Sequence, residues 1–398
     1  LYMLLFDKER INYNYSCCQQ CGACEAVCPK SAITMELLTD GTHRVIINDE
    51  KCIRCKRCVN VCPANKEEIY DNYFNEFKSK KYFLGYNAND EIRRASSSGG
   101  CCKTTIIESL RSGFSDGVYS LKQTGEYPFA EGEFYTRNNI PQYDDIPNSI
   151  YHSVMACRNV NKIQPCKRLL VIGTSCQLRA INTQLKDKAD EVVRICIFCK
   201  QQKTLDSTRF LAKVMGTRLF GNMKKVPHYR GEGWPGIVRV NESGLPYSRA
   251  AQIPFGRRLW SVSGCDVCGD SFGIHAEADL TLMDPWEIRK PNNLGETLVV
   301  VHTALGGKLL KECNALILEP KTYSEVKPAL SLKDVWRKQV TEPVFRGNVC
   351  DKLYVRAVHA ELKQRKWLRI IVEKLPRLPV VFYRIFAKLP DLRNCILK

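Results

Sequence analysis

The pattern of apolar and polar positions divides the chain, from about Tyr82 onward, into alternating strand-like and helix-like segments. The runs YFLGYN, DGVYSL, KRLLVIG and VVRICIFC have the length and composition of β-strands. The amphipathic segments CCKTTIIESLRSG, TSCQLRAINTQLKD and LDSTRFLAKVMG have the apolar spacing of helices. Strands that alternate with helices predict an α/β core.

Two further patterned stretches flank this region. The N-terminal stretch AITMELLTDGTHRVIIND predicts a β-hairpin that turns at Asp40 and Gly41. The C-terminal stretch VRAVHAELKQRKWLRIIVEKL predicts an amphipathic helix. Residues 352–398 contain twelve basic and three acidic residues, half of the net charge of +18. Such a tail suits an anionic membrane surface, and the simpler alternative is a helix that packs on the core with its cations in water.

Composition and cysteine content narrow the class of protein. The chain has 398 residues, enough for two or three domains, and 21 cysteines. Secreted disulfide scaffolds are usually much shorter, and the opening LYMLLF lacks the features of a signal peptide. No apolar run approaches the roughly 20 residues of a bilayer span. We therefore expect a cytoplasmic protein whose thiolates bind metal, with peripheral contact at the inner face of the membrane through the basic tail.

Eight cysteines form two quartets with the spacing C-x2-C-x2-C-x3-C-P. The quartets are Cys18, Cys21, Cys24 and Cys28, and Cys52, Cys55, Cys58 and Cys62. In bacterial ferredoxins with this spacing, three cysteines of each quartet bind one 4Fe-4S cluster and the fourth crosses to the other cluster. Cys62 should therefore join the first set and Cys28 the second. Zinc sites usually take two pairs with a longer gap, so two 4Fe-4S clusters are predicted.

Four cysteines of the α/β region form a further candidate site. Cys176 lies where the strand of LLVIGTSCQLRA turns into a helix, Cys199 ends the strand VVRICIFC, and Cys265 and Cys268 form GCDVCG. Ligands gather at strand ends in open α/β sheets. Cys196, three residues before Cys199, should face the opposite side and pack internally. The alternatives are a third cluster, or a zinc knuckle at Cys265 and Cys268 with the other two cysteines buried and inert.

Two glycine-rich stretches are candidate ligand loops. GEGWPG, residues 231–236, fits G-x-G-x-x-G, but Pro235 lies in the turn and the strand-like IVRVN follows, so we reject it as a dinucleotide fingerprint. RRASSSGGCCKTTIIESL enters a helix through three serines and two glycines. Its amides and hydroxyls would suit a phosphate or a flavin edge, and the alternative is an N-cap with a flexible lead-in.

Six motifs together resemble the coenzyme F-420 hydrogenase/dehydrogenase beta-subunit family, with a two-cluster ferredoxin module fused in front. They span most of residues 80–290 in family order. The motifs are SSSGG (96–100), GTSCQ (173–177), IFCK (197–200), YRGEGWPG (229–236), CDVC (265–268) and ADLTLMDPW (278–286).

The resemblance implies an FAD-binding core with a third 4Fe-4S cluster, held by Cys176, Cys199, Cys265 and Cys268, beside the flavin. By motif position, one side of the flavin is lined by Ser98, Gly99, Gly100, Thr174 and Gln177. The other side is lined by Asp279, Asp284 and Trp286. Coenzyme F-420 is a further candidate, but Ser175, where the family has proline, and KQQK at 200–203 depart from the pattern of its users.

The predicted organisation is therefore an α+β ferredoxin domain in residues 1–78, an α/β core that binds FAD and 4Fe-4S in residues 79–335, and a basic amphipathic helical tail in residues 336–398. A flavin beside one-electron clusters converts between one- and two-electron chemistry. No sequence motif singles out a catalytic side chain.

Two functions are consistent with this organisation. One is a reductase that passes electrons from a soluble ferredoxin or another redox protein to an organic substrate, either a small molecule or a lipid-linked or glycan intermediate. The other is an electron-transfer subunit that serves a coenzyme F-420- or ferredoxin-linked hydrogenase or dehydrogenase. No recognition motif supports nucleic-acid binding, despite the positive charge.

Overall fold

The computed structural model describes residues 17–66, 70–217, 227–247, 258–348, 350–374 and 389–398. In the N-terminal part, strands β1 (Ile33–Leu37) and β2 (His43–Ile47) pair antiparallel, which confirms the predicted hairpin. Short helices α1 (Ala23–Ala26) and α2 (Arg57–Val61) lie within the two cysteine quartets. The result is a small α+β unit in which the cysteine loops pack beside the hairpin.

The core is a mixed eight-stranded sheet within the described residues. The remaining strands are β3 (Lys81–Asn87), β4 (Gly117–Gln123), β5 (Ala130–Thr136), β6 (Cys166–Gly173), β7 (Ala189–Ile197), the separate hairpin of β8 (Ile237–Val240) and β9 (Ser243–Pro246), β10 (Leu280–Met283), β11 (Thr297–Val301) and β12 (Leu316–Lys321). The order across the sheet is β12-β3-β11-β10-β7-β6-β4-β5. Strands β10, β7, β6 and β4 are mutually parallel, and the other pairings are antiparallel.

Helices cover the sheet, as the predicted alternation requires. They are α3 (Asp90–Ala95), α4 (Cys101–Arg111), α5 (Ser175–Asn182), α6 (Leu205–Val214), α7 (Ala304–Lys311) and α8 (Tyr323–Val326). The apolar face of α4 packs against strands β4, β6, β7, β10 and β11 in one hydrophobic cluster that includes Ile106, Ile107 and Leu110. Because the parallel strands end at one edge of the sheet, the loops that follow β6, β7 and β10 are brought together there.

The C-terminal helices are α9 (Leu332–Arg346), α10 (Lys352–Lys374) and α11 (Leu392–Ile396). The predicted boundary at residue 335 falls inside α9. Phe345 and Val358 pack in the same apolar cluster as Cys18 and Met35 of the N-terminal unit. The described part of the basic tail is therefore docked on the rest of the chain. Among the described residues, no helix is both long and apolar enough to cross a membrane.

Candidate metal centres and cofactor site

The first cysteine set consists of Cys18, Cys21, Cys24 and Cys62. Burial raises the pKa of Cys62, and thiolates at Cys21 and Cys18 raise it further. Burial likewise raises the pKa of Cys24, with added contributions from Cys21, Cys18 and Cys62. The structure thus places Cys62, which lies far along the chain, beside the three cysteines of the first loop. A cluster with negative thiolate ligands suits four such thiols because its iron offsets their mutual repulsion.

The second set, Cys28, Cys52, Cys55 and Cys58, lines one shared cavity. Burial raises the pKa of Cys58 to about 11, and thiolates at Cys55 and Cys28 contribute. The backbone N–H of Ala32 donates to Cys28 Sγ at 3.1 Å, the kind of contact that tunes a cluster potential. Cys55 is exposed, so this set reaches the protein surface.

The core set consists of Cys176, Cys199, Cys265 and Cys268. Burial raises the pKa of Cys268 to about 11. The ammonium of the buried Lys338 lowers this pKa, and thiolates at Cys265 and Cys199 raise it. Burial raises the pKa of Cys176, and Cys268 and Cys199 contribute. The four thiols are therefore neighbours. In the described residues, no three His, Cys, Asp or Glu side chains converge on a position for a single metal ion.

Cys196 lies close to this set, but its side chain is packed. It is fully buried, and a Cβ placed at Gly273 would lie 2.8 Å from its sulfur. Burial and the charge of Asp270 raise the pKa of Cys196 most, and thiolates at Cys199 and Cys268 raise it further. Cys196 is therefore as close to the core set as a ligand would be, and its distance alone does not exclude it as a ligand. The close packing against Gly273 agrees with the expected inward orientation.

A direct backbone contact joins the first set to the core set. The N–H of Gly264 donates to the carbonyl oxygen of Cys18 at 3.2 Å, and Cys265 is the next residue. A Cβ at Gly264 would lie 2.4 Å from that same oxygen, so only glycine fits. On the other side, the N–H of the buried Cys157 donates to the carbonyl oxygen of Cys21 at 2.8 Å, and its Sγ donates at 3.6 Å to the carbonyl oxygen of Gln177, the residue after Cys176. Sequence reasoning missed Gly264 and Cys157, since only folding brings them to the two sets.

The helical tail is anchored on the loop of the core set. Arg365 of α10 donates to both carboxylate oxygens of Asp266, at 3.0 and 3.1 Å, and Asp266 lies between Cys265 and Cys268. Arg258 also donates to Asp266, at 2.6 Å. Arg346 of α9 donates to the carbonyl oxygens of Ala64 at 2.8 Å and Val267 at 3.0 Å. The tail therefore connects the ferredoxin unit with the core cysteine loop.

A buried polar cluster lies at the carboxyl edge of the sheet, where β10 ends. Asp284 accepts two hydrogen bonds from Arg230, at 2.8 and 2.9 Å, one from Trp234 Nε1 at 3.0 Å, and one from Ser98. Burial pushes the pKa of Asp284 upward, but the Arg230 guanidinium and the donated hydrogen bonds outweigh it and lower the pKa to about 2. Trp286 packs against Trp234 at 4.6 Å between ring centroids, with the ring planes tilted by 46°, and is 37% exposed.

Gly99 and Gly100 precede α4 with φ values of +79° and +81°. A Cβ on Gly99 would lie 2.8 Å from the carbonyl oxygen of Gly295. What approaches the α-carbon of Gly99 is therefore the chain's own backbone, and its place beside a flavin stays a prediction. Ser98 itself has φ +50° and belongs to the Asp284 cluster.

The other predicted flavin residues are occupied by structural contacts. Thr174 and Gln177 form a reciprocal capping box at the start of α5, and Thr174 Oγ1 lies 3.3 Å from Cys176 Sγ. Asp279 accepts hydrogen bonds from Arg194 N and Thr303 Oγ1. The strand β10 separates Asp279 from Asp284, so the structure does not bring these two carboxylates together.

The GEGWPG stretch leads into β8 and not into a helix, as expected when we rejected it as a dinucleotide fingerprint. The same stretch nevertheless places Trp234, and its neighbour Arg230, on Asp284. A Cβ on Gly231 would lie 2.6 Å from His228 Nε2. The stretch therefore contributes to the Asp284 cluster although it is not a dinucleotide fingerprint. The motif YRGEGWPG was the available signal.

The residues at this edge fit a bound flavin in part. Arg230 Nε and His228 Nε2 are buried without a hydrogen-bond partner. Buried polar atoms are nearly always paired, so these two indicate a missing acceptor or donor. Trp286 offers a partly open aromatic face on which a planar ring could stack. The fit rests on Arg230, Ser98 and Trp286 and not on the capping residues Thr174 and Gln177.

Two family models match the chain. Residues 17–66 match the 4Fe-4S dicluster domain, and residues 166–325 match the C terminus of the coenzyme F420 hydrogenase/dehydrogenase beta subunit. The chain therefore carries a dicluster ferredoxin domain, followed by a region related to the C terminus of the F420 hydrogenase/dehydrogenase beta subunit. The recognition made from the sequence motifs is thus confirmed, and this beta-subunit relative is an iron-sulfur electron-transfer protein.

Curated relatives match the N-terminal part. A ferredoxin-like protein in nif region of Sinorhizobium fredii is 39% identical over 55 residues, which cover 12% of this chain and 78% of the relative. A ferredoxin of Pyrobaculum islandicum is 36% identical over 89 residues, 22% of this chain and 79% of the relative. The F420-reducing [NiFe] hydrogenase complex from Methanosarcina barkeri contains a chain that is 17% identical, with TM-score 0.47 and coverage of 65% of this chain and 88% of that one.

Proposed function

We propose that this beta-subunit relative is an electron-transfer subunit that carries single electrons between a soluble redox protein and a coenzyme F-420- or ferredoxin-linked hydrogenase or dehydrogenase. The observation that best supports this function is the contact between Gly264 and Cys18, because it brings the loop of the core cysteines against the ferredoxin unit. The 4Fe-4S clusters supply one-electron transfer when bound. The second set, with the exposed Cys55, forms the outer end of the row, and the core set forms the inner end.

The protein holds this row of sites rigidly and keeps its inner part dry. Cys18 and Cys265 are buried, and Arg346 ties the ferredoxin unit to the loop that carries Cys265 and Cys268. Low solvent access limits the reorganisation that accompanies each electron transfer and helps to set the potential of a cluster. These features suit a fixed conduit.

FAD is the proposed cofactor at the inner end. Arg230, Ser98 and Trp286 would hold it, since Arg230 Nε is unpaired and Trp286 is partly exposed. A flavin in this place supplies the conversion between one-electron and two-electron chemistry. The chain's own contribution is to orient the group, through the buried Arg230–Asp284 pair, and to present an aromatic face beside it.

A second candidate function is a self-contained iron-sulfur flavoprotein reductase of an organic substrate, such as a glycan or lipid-linked intermediate. The aromatic platform of Trp234, Tyr247 and Trp286 at the open edge of the sheet favours it. For this function, a membrane-peripheral location on the cytoplasmic side would bring the site to lipid-linked substrates. Trp367 and Ile370 of α10 are exposed, at 54% and 42%, and could contact lipid there. Co-sedimentation with anionic and with neutral liposomes, at low and high salt, tests this location.

The proposed function is tested by electron transfer from reduced ferredoxin under anaerobic conditions. Cys268→Ser should keep the two ferredoxin-type electron paramagnetic resonance signals and lose reduction of bound FAD. Cys196→Ser is the matched control, because Cys196 is packed against Gly273, and it should behave as the wild type does. Equal FAD reduction in the wild type and in Cys268→Ser would remove the core set from the conduit. Substrate reduction by the isolated chain would favour the reductase.

A further inference from the structure

The surface around the second cysteine set is unusually cationic. The cavity that Cys55 and its partners line is bordered by four basic side chains and, among its lining residues, no carboxylate. We call these four residues the basic rim: Lys30, Arg54, Lys56 and Arg57, all exposed. Ile53, 56% exposed, lies in the same lining. A single exposed apolar residue is ordinary; what distinguishes this surface is that Ile53 lies among four cations and next to the exposed Cys55.

Two members of the basic rim occupy costly backbone conformations. Arg54 has φ +55° and Lys56 has φ +60°, in the left-handed region that favours glycine or asparagine. Each such non-glycine residue costs about 1–2 kcal/mol. The equivalent positions of the first quartet, Gln20 and Gly22, have φ +56° and +85°, so the cysteine loop itself requires this conformation and the cationic side chains at 54 and 56 are placed outside it.

Within the described residues, no ion pair neutralises the basic rim. The carboxylate of Glu25 in the ferredoxin unit, by contrast, pairs with Arg158 of the core at 2.9 Å. The nearest acids in sequence, Asp49 and Glu50, are exposed on the turn before Cys52 and do not line the cavity. Among the described side chains, the rim therefore has no carboxylate counter-charge where it borders the outermost cysteine set.

We propose that the basic rim is the docking site of a small acidic one-electron carrier protein of the ferredoxin or flavodoxin class, an inference that rests on the proposed electron-transfer function. Opposite charge steers such a carrier to the correct face and raises its association rate. Ile53 lies among these cations and is exposed. A protein partner can bury this apolar side chain, whereas a lipid headgroup or a nucleic-acid backbone offers only polar and charged groups. The exposed Cys55 then lies at the interface, where the path for an electron is shortest.

The decisive experiment is anaerobic binding of an acidic two-cluster ferredoxin to the full chain, measured by biolayer interferometry. Arg54→Glu/Arg57→Glu should weaken binding by about 30-fold at low ionic strength, because two attractions become repulsions. The matched control is Lys308→Glu/Lys311→Glu, which makes the same charge change on exposed residues of α7 and should leave binding unchanged. Binding by the wild type should also weaken steeply with added salt.

Zero-length carbodiimide cross-linking of the wild type provides a readout that does not depend on how a variant folds. Cross-links from ferredoxin carboxylates to Lys30 or Lys56 support the proposal, whereas links mainly to Lys308 overturn it. Equal losses in the two charge-reversal variants also overturn it, because net charge would then explain binding. Tighter binding to phosphatidylglycerol vesicles or duplex DNA, lost in Arg54→Glu/Arg57→Glu, would reassign the rim to a membrane or a nucleic acid.

The outcome is separable from that of the proposed function. If the core set transfers no electrons, binding at the basic rim remains measurable and selective. If binding is not selective for the rim while reduced ferredoxin still reduces bound FAD, only the docking proposal fails.

Discussion

The substitution Asp284→Asn removes the charge of a buried carboxylate while keeping an acceptor for Trp234 and Ser98. Arg230 is 1% exposed and Asp284 is 18% exposed, and the guanidinium contacts both carboxylate oxygens. Lowering the pKa of Asp284 from 3.8 to about 2 corresponds to about 2.5 kcal/mol. Breaking a buried pair by removing one partner typically costs about 3–5 kcal/mol. We expect a loss of about 3 kcal/mol at this edge of the sheet.

Hydrogen–deuterium exchange measures this loss locally, through peptides that cover residues 94–100 and 228–236. A loss of about 3 kcal/mol corresponds to exchange that is about 100-fold faster. The folded pKa lies below the ordinary value, so the stabilisation is fully present above about pH 4 and disappears only as the pH falls towards 2. The difference between wild type and Asp284→Asn should therefore be the same at pH 6 and pH 8.

The matched control is Glu232→Gln in the same loop. It breaks the pair between Arg239 and Glu232, whose side chains are 39% and 40% exposed, and such surface pairs contribute about 1 kcal/mol or less. Exchange that is less than about 5-fold faster in Asp284→Asn, or equally fast in both variants, would refute burial as the source of the effect.

Three further predictions concern the metal centres and the loops around them. Anaerobic analysis should find about twelve iron and twelve labile sulfide per chain, and Cys199→Ser should lower both to about eight; a wild-type value near eight would eliminate the third cluster. Glu361→Gln removes a carboxylate that pairs with the largely buried Arg258, Arg365 and Arg393, so it should speed the loss of iron from the core set to a chelator. The control Glu373→Gln, at an exposed pair, should not change this rate, and equal rates in the two variants would contradict the anchoring of the tail on the cysteine loop. Gly231→Ala should lower stability by about 2 kcal/mol in thermal unfolding, because φ is +116° and its Cβ would meet a histidine ring; an unchanged melting temperature would show that this close packing does not constrain the loop.

The ligand sets of the ferredoxin unit could be predicted because their spacing is a local property. Three cysteines at intervals of three residues on one tight loop can only surround a common centre, and the family rule for the fourth cysteine assigns Cys28 and Cys62. The hairpin and the α/β alternation were equally accessible, since apolar periodicity records which face of each element is buried. The opposite orientation of Cys196 and Cys199 follows from strand geometry alone.

Contacts between distant segments required the tertiary structure. The apolar periodicity of the sequence does not show that Gly264 contacts Cys18. It also does not show the two ion pairs, Arg365 with Asp266 and Arg230 with Asp284. Each is a long-range pairing of groups whose burial is tolerable only when the partner is present, and partner identity is set by the packing of whole elements.

The basic tail shows the same division. Its composition and helical periodicity are readable from residues 352–398, and they are compatible with both a membrane surface and a packed helix. Sequence alone determined the cysteine spacing, the alternation of elements and the charge of the tail. The tertiary structure decided that Arg365 of the tail is buried against the loop of Cys265 and Cys268, because a charge count does not reveal which cations meet a buried carboxylate.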